Sequence, residues 1–255
     1  MKPLKYEDET YEILIQNHVF IKDKRTKTYY RNSINSVNSN ILDKFISYPE
    51  KINKFYFCIY ILFMIAMIAM NNIYVLHLQK SVIPDFNNII LFVVILYFSV
   101  NIIIHELGHI YSLKYFDRKI DKVGFRLNFY VFPSFYVQMN ETYMLSQIDK
   151  IIVHSFGLLV NFTFINFVQL FNILTINSCS LTLSYMLFSS TMIWNLVPML
   201  NSDGYKIMLA SLSLDEFSNF AKNHWFVLFF QIIGISIALN TLIHWGIYWS
   251  KYFYP

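Results

Sequence analysis

Long apolar runs separated by short polar stretches set the pattern of this chain. A polar, charged segment occupies residues 1–54, and apolar runs follow at 55–76, 89–113, 151–174, 181–200 and 225–249. A hydrocarbon core about 30 Å thick takes roughly 20 helical residues at a rise of about 1.5 Å each, so every run is long enough to cross a bilayer. The first, FYFCIYILFMIAMIAMNNIYVL, contains no charged residue. The pattern predicts an all-α polytopic membrane protein with about five transmembrane helices. Gly234, Gly246 and His244 would allow the last of them to break or tilt.

Two segments have a different period. In residues 1–54 the stretch YEILIQNHVFIKDKRTKTYYR alternates, predicting a hairpin that turns at Asp23 to Thr26, followed by a helix through Ile41, Leu42, Phe45 and Ile46. This outline resembles the first part of domains that bind leader peptides, over about 45 residues and without a diagnostic motif; the plainer reading is a membrane-proximal cap. Between the second and third runs, GFRLNFYVFPSFYVQM places Phe125, Leu127, Phe129 and Val131 on one face. A turn near Pro133 and an apolar face through Phe135, Val137 and Met139 complete a hairpin expected to lie in the membrane interface. The chain thus divides into an N-terminal element (1–54), a membrane-embedded core (55–210) and a C-terminal loop with the last helix (211–255).

Composition changes the picture in one direction. With 56% hydrophobic and 14% charged residues and a mean hydropathy of +0.42, the chain carries more apolar surface than a soluble domain of its size buries. A soluble enzyme is excluded, and lipid is the expected solvent. The net charge of +4 is too small to argue for a nucleic-acid partner. Its distribution is more informative: ten Lys and Arg lie in 1–54, one in 77–88, six in 114–150, none in 175–180, two in 201–224 and one after 249. By the positive-inside rule the amino terminus is expected in the cytoplasm and the carboxyl terminus outside. No cleavable signal segment precedes the first run, so membrane entry is expected to use an uncleaved helix. Two cysteines, Cys58 and Cys179, form neither a disulfide framework nor a paired thiolate site and are expected to be packing residues. The bias toward Ile, Asn, Lys, Phe and Tyr would suit an AT-rich bacterial genome.

The second run ends in ionisable groups that lipid would not tolerate without a partner: His105-Glu106-Leu107-Gly108-His109. On a helix, positions i and i+4 share a face, so two imidazoles can hold one zinc ion while Glu106 reaches water beside it. In a chain of this composition the pattern arises by chance roughly 0.005 times. A catalytic zinc generally has three protein ligands, so one is missing. The fourth run ends in Asn195-Leu196-Val197-Pro198-Met199-Leu200-Asn201-Ser202-Asp203-Gly204. Here Asp203 is either part of a plain Asp-Gly turn or, beyond the helix-breaking Pro198, the missing carboxylate. Both helices run from outside to inside in the expected topology, which puts the three groups at similar depth.

The two motifs together resemble the site-2 protease family of intramembrane zinc metalloproteases over about 55–210, which couples HExxH to a downstream NxxPxxxxDG. Phe156-Gly157-Leu158-Leu159-Val160-Asn161 resembles the family's GxxxN motif, with Leu158 where Pro is common, and Ser202 stands where Leu commonly precedes the Asp. The resemblance implies His105, His109 and Asp203 as ligands of one zinc ion and Glu106 as catalytic base and proton shuttle. Asn161 and Asn195 would orient the substrate carbonyl or stabilise its oxyanion, although a buried Asn in a helix bundle is more often an interhelical hydrogen bond. The implied activity is endoproteolysis of a membrane-associated peptide or single-pass protein from the cytoplasmic side of the cell membrane. The hairpin at 125–139 could pair with an extended substrate or simply anchor in the interface. The compact chain most resembles small bacterial peptide zinc metalloproteases associated with maturation of modified peptides such as epipeptides. Two alternatives remain: a signalling protease acting on a sigma-factor regulator, and a non-proteolytic exporter or immunity protein that keeps zinc as a structural clamp.

Overall fold

A computed structural model of the chain describes residues 3–34, 42–49, 51–80, 87–128, 132–199, 202–216 and 223–253. The N-terminal segment is a five-stranded antiparallel sheet in the order β4-β3-β2-β1-β5, built from β1 (Leu4–Glu7), β2 (Tyr11–Ile15), β3 (Val19–Asp23), β4 (Thr28–Asn32) and β5 (Ile46–Ser47). The turn expected at Asp23 to Thr26 is present: Asp23 pairs with Thr28, and the Asp23 carboxylate accepts hydrogen bonds from the Arg25 and Thr26 amides. Two further turns extend this hairpin into a meander. The helix expected through Ile41, Leu42, Phe45 and Ile46 does not extend that far: Leu42 is helical, but Ile46 pairs with Lys5 of β1 as an edge strand, and Phe45 packs its ring against Tyr6 at 5.5 Å. A short apolar run is ambiguous in period, and here an open sheet edge took it. Ile41 lies outside the described residues. The all-α expectation is therefore corrected to a mostly helical chain with a small sheet.

The remaining elements are α1 (Lys54–Leu78), α2 (Asn88–Tyr115), a hairpin of β6 (Lys122–Asn128) and β7 (Phe132–Gln138), α3 (Gln147–Phe171), α4 (Cys179–Leu196), α5 (Asp203–Ser211) and α6 (Trp225–Phe253). Among the described residues, four helices are long and apolar enough to cross a membrane: α1, α2, α3 with its continuation to Ile176, and Trp225–His244 of α6. The expected fifth span, 181–200, forms the 18-residue α4. It has less apolar character because Ser180, Thr182, Ser184, Ser189, Ser190 and Thr191 interrupt it, and it stops at Leu196, with Val197 driven to φ −67°, ψ 129° by the Pro198 that follows. The last helix is continuous through Gly234 and Gly246.

Burial separates the helices by task. Half of the most apolar window of α3 is buried, against 17% for α1 and α2. The outer helices therefore leave apolar faces such as that of Ile73, 69% exposed, uncovered by protein, while α3 forms the centre. Leu158, Phe162 and Ile165 of α3 pack with Met64, Tyr97, Tyr185, Phe188 and Met192. Polar groups tie the same helices together: the Tyr185 hydroxyl lies 2.8 Å from Asn71 Oδ1 of α1 and 2.9 Å from Asn166 Oδ1 of α3, the kind of interhelical bond that serves where lipid offers no hydrophobic drive. Cys58 and Cys179, expected to pack, are both free and exposed on helix surfaces.

The β6–β7 hairpin forms in the expected region, with Phe125 opposite Phe135 and their rings 5.3 Å apart. Its base is anchored: Val137 and Met139 are buried against Leu113 and Phe116, while Phe125 and Phe135 stay exposed. Phe129 and Val131 lie outside the described residues. The N-terminal sheet docks onto the end of this hairpin. Arg118 grips both carboxylate oxygens of Glu12 at 2.8 and 2.9 Å and donates to the Met144 carbonyl at 2.8 Å. Lys22 pairs with Glu141, and Leu14 and Phe20 close over Met144.

Candidate metal centre

His105 and His109 stand one turn apart near the C-terminal end of α2, and both are buried. Asp203 reaches them from the first turn of α5. The helix break at Pro198 reverses the chain, and Ser202 then caps α5: its hydroxyl donates to the Val197 carbonyl at 2.7 Å and accepts from the Tyr205 amide at 3.1 Å. Ser202 thus performs ordinary N-cap chemistry and fixes the direction of Asp203. Gly204 permits the tight approach of α5 to α4, since a Cβ there would sit 1.9 Å from the Leu196 carbonyl oxygen.

The three side chains converge. His105 Nε2 lies 2.7 Å from Asp203 Oδ2 and 3.1 Å from His109 Nε2, and His109 Nε2 lies 3.4 Å from Asp203 Oδ1. Zinc bonded to nitrogen and oxygen at about 2.0–2.2 Å with tetrahedral angles separates its ligand atoms by about 3.4 Å, so this set fits a single zinc ion with minor expansion. The outer nitrogens agree with that use. His109 Nδ1–H donates to the Val153 carbonyl at 2.9 Å, which leaves the lone pair of Nε2 facing its partners. His105 Nδ1 faces the Asn161 side-chain amide at 3.3 Å; with the amide oxygen turned toward it, Nδ1–H donates and Nε2 is again free to ligate.

The two asparagines have structural partners. Asn195 Nδ2 donates to Asp203 Oδ2 at 3.0 Å and its Oδ1 accepts from the Asp203 amide at 3.2 Å, so it holds Asp203 by its carboxylate and by its backbone. Asn161 is buried between His105 and Met192. Glu106 is only partly buried, and no hydrogen bond or ion pair among the described residues ties its carboxylate down. Lys206 approaches Asp203 Oδ1 at 3.8 Å from the next turn of α5. Gly157 lies beneath both imidazoles, where a Cβ would be 2.6 Å from His109 Nε2 and 3.0 Å from His105 Cε1. The three converging side chains and the two Asn were visible in the sequence as candidates; the Val153 carbonyl and the space provided by Gly157 were not, because they depend on how α3 crosses α2.

No family model matches the chain, and no solved structure does. A protein of Bacillus subtilis (strain 168) named "Putative peptide zinc metalloprotease protein YydH" is 55% identical over 249 residues, covering 97% of this chain and 99% of the relative. The chain belongs to this peptide zinc metalloprotease family. For a peptide zinc metalloprotease, the buried cluster of His105, His109 and Asp203, with donor atoms all within 4.8 Å of one another, is the chemically fitting place for the metal among the described residues.

Proposed function

We propose that this metalloprotease is an HExxH-type intramembrane endopeptidase that binds one zinc ion through His105, His109 and Asp203 and uses Glu106 as its base. The observation that carries this reading is the convergence of His105 and His109 with Asp203, 94 residues beyond His109 in the chain, at one end of a helix apolar enough to span a membrane. Zinc, when bound, supplies a Lewis acid that polarises a peptide carbonyl and brings the pKa of water to about 7. Glu106, untethered among the described residues and beside the proposed ligands, accepts a proton from the attacking water and delivers it to the nitrogen of the leaving amine. Asn195 keeps Asp203 aimed, and the Val153 carbonyl and Asn161 keep the imidazoles aimed. A structural clamp would need these ligands and would leave Glu106 without a task.

The substrate in this reading is a membrane-associated peptide or single-pass protein, cut from the cytoplasmic side of the cell membrane during maturation of a bacterial peptide. The distribution of Lys and Arg supports that orientation. With Cys179 and Cys58 both exposed on helices, an impermeant thiol reagent added outside should label Cys179 and not Cys58. The deciding experiment is Glu106→Gln in the purified protein. Zinc content should stay at about one per chain while peptide cleavage is lost, and cleavage at the wild-type rate would remove the protease reading.

A further inference from the structure

A cavity of about 490 Å³ opens between the N-terminal sheet and the helices, within the size range of cavities that enclose ligands. One side is formed by the β2–β3 turn, with Gln16, Asn17 and His18, and by the end of β7; the other is formed by α3 and α5. Its lining includes Lys206, on the helix that carries Asp203, and His154, whose preceding residue supplies the carbonyl for His109. The cavity therefore lies between the docked sheet and the two helices, α3 and α5, that pack against and contribute to the metal centre, with none of His105, Glu106, His109 or Asp203 in its lining.

Its charges are unevenly satisfied. On the wall, Asp215 is paired with Arg31 at 3.1 Å, and Glu216 accepts from Gln231 Nε2 at 2.6 Å. Lys206 leans toward Asp203. Lys150 is different: its ammonium lies 4.5 Å from the Phe20 ring centroid and 5.9 Å from that of Tyr143, with no carboxylate within 4.0 Å among the described residues. An ammonium set in an aromatic corner is partly desolvated and favourably held by the rings, but its hydrogen-bonding capacity is unspent. The buried His154 Nδ1 nearby also has no hydrogen-bond partner among the described residues. These are polar groups arranged for something that enters the cavity.

We propose that this cavity is the substrate vestibule and that Lys150 receives a carboxylate of the bound peptide, either an acidic side chain or the C-terminal carboxylate. The inference rests on the protease reading and adds the chemical class of what that site selects. A charge-assisted hydrogen bond in such a setting corresponds to a preference of about tenfold or more for the charged peptide over its neutral isostere.

The test uses the full-length, zinc-loaded Glu106→Gln protein in nanodiscs, so that bound peptide is not consumed. Randomised hexapeptide pools carry a fixed Glu or a fixed Gln, each with an amidated C-terminus, and a third pool carries Gln with a free C-terminal acid. Retained peptides are quantified by mass spectrometry. The Glu pool, the free-acid pool or both should be retained about tenfold more than the neutral pool, and which of them wins identifies the source of the carboxylate. Lys150→Arg should keep the preference and Lys150→Met should abolish it while still retaining neutral peptide, which separates lost selectivity from lost folding. Equal retention of all pools, no retention of any, or a preference that survives in Lys150→Met overturns the proposal. Lys150-dependent retention without cleavage by the Glu106-intact enzyme would instead remove the protease reading and leave the vestibule standing. Cleavage by the intact enzyme without carboxylate preference would do the reverse.

Discussion

Gly157 lies directly under His109, so close that a methyl group on its Cα would be 2.6 Å from Nε2, the atom proposed to hold zinc. The contact sets two effects of Gly157→Ala against each other. Alanine is favoured over glycine in a helix interior by about 1 kcal/mol, yet here it would push the imidazoles away from Asp203. Gly157→Ala is expected to keep its helix content and lose zinc affinity by about 10–100-fold, as when a ligand's supporting contact is lost. Competition with a chromogenic chelator measures this; wild-type affinity would show that the helices part without cost.

Asn195 offers a clean separation of two roles. If it serves Asp203, as its bonds of 3.0 and 3.2 Å indicate, Asn195→Ala lowers zinc affinity by about 10–100-fold, and excess zinc restores most of the activity. An oxyanion role would instead lower kcat at full zinc occupancy. Titrating activity against free zinc distinguishes the two outcomes.

Gly204 and Ser202 should differ sharply in severity. Ser202→Ala removes an N-cap and is expected to cost about 1 kcal/mol. Gly204→Ala drives a methyl into the Leu196 carbonyl oxygen and requires α5 to move, taking Asp203 with it. Thermal unfolding in detergent should show a modest loss for the first and a large one, with loss of bound zinc, for the second.

The sheet should detach in acid. Burial alone would raise the Glu12 carboxyl, but Arg118 and Lys5 outweigh it and hold its pKa below the usual 4.5; Lys24 and Lys5 bring Glu7 down to about 2. Because both folded pKa values are depressed, their stabilisation is fully present above about pH 4.5. It fades as pH falls toward the folded values: protonation of Glu12 releases the sheet from Arg118, while Glu7, whose partners Lys5 and Lys24 lie in the sheet itself, weakens the sheet internally toward about pH 2. Glu12→Gln leaves Arg118 in a buried position with its main partner gone and is expected to cost about 3 kcal/mol at neutral pH. Limited proteolysis between the sheet and α1, followed against pH, reads both effects.

How much of this was legible beforehand depended on whether a feature is local. His105, Glu106 and His109 announce themselves because an i, i+4 spacing has one geometric meaning on a helix. Asp203 was legible only in combination with them, through the Pro198 that stops α4. The hairpin turn at Asp23 was readable from local polar chemistry. Ile46 was not, since whether it continues a helix or borders a sheet depends on an open edge at Leu4 and Lys5, far away in the chain. The expected packing role of the cysteines failed for a related reason: in a membrane the outward face of a helix is as apolar as the inward one, so hydrophobicity does not tell Cys58 which way to point. Arg118, Lys150 and the Val153 carbonyl acquire their roles from contacts across the fold, and no periodicity encodes those.

The clamp of Arg118 on Glu12 also bears on how such chains can diverge. The strands end before α1, but the ion pairs that leave the sheet reach residues 118, 141 and 215. A chimera that exchanges residues 1–54 between two relatives would import one half of a lock and leave the other half behind. Inheritance of the N-terminal sheet is therefore coupled to the segments that follow α2, β7 and α5, and substitutions in the sheet and in those segments should be found to work only in matched sets.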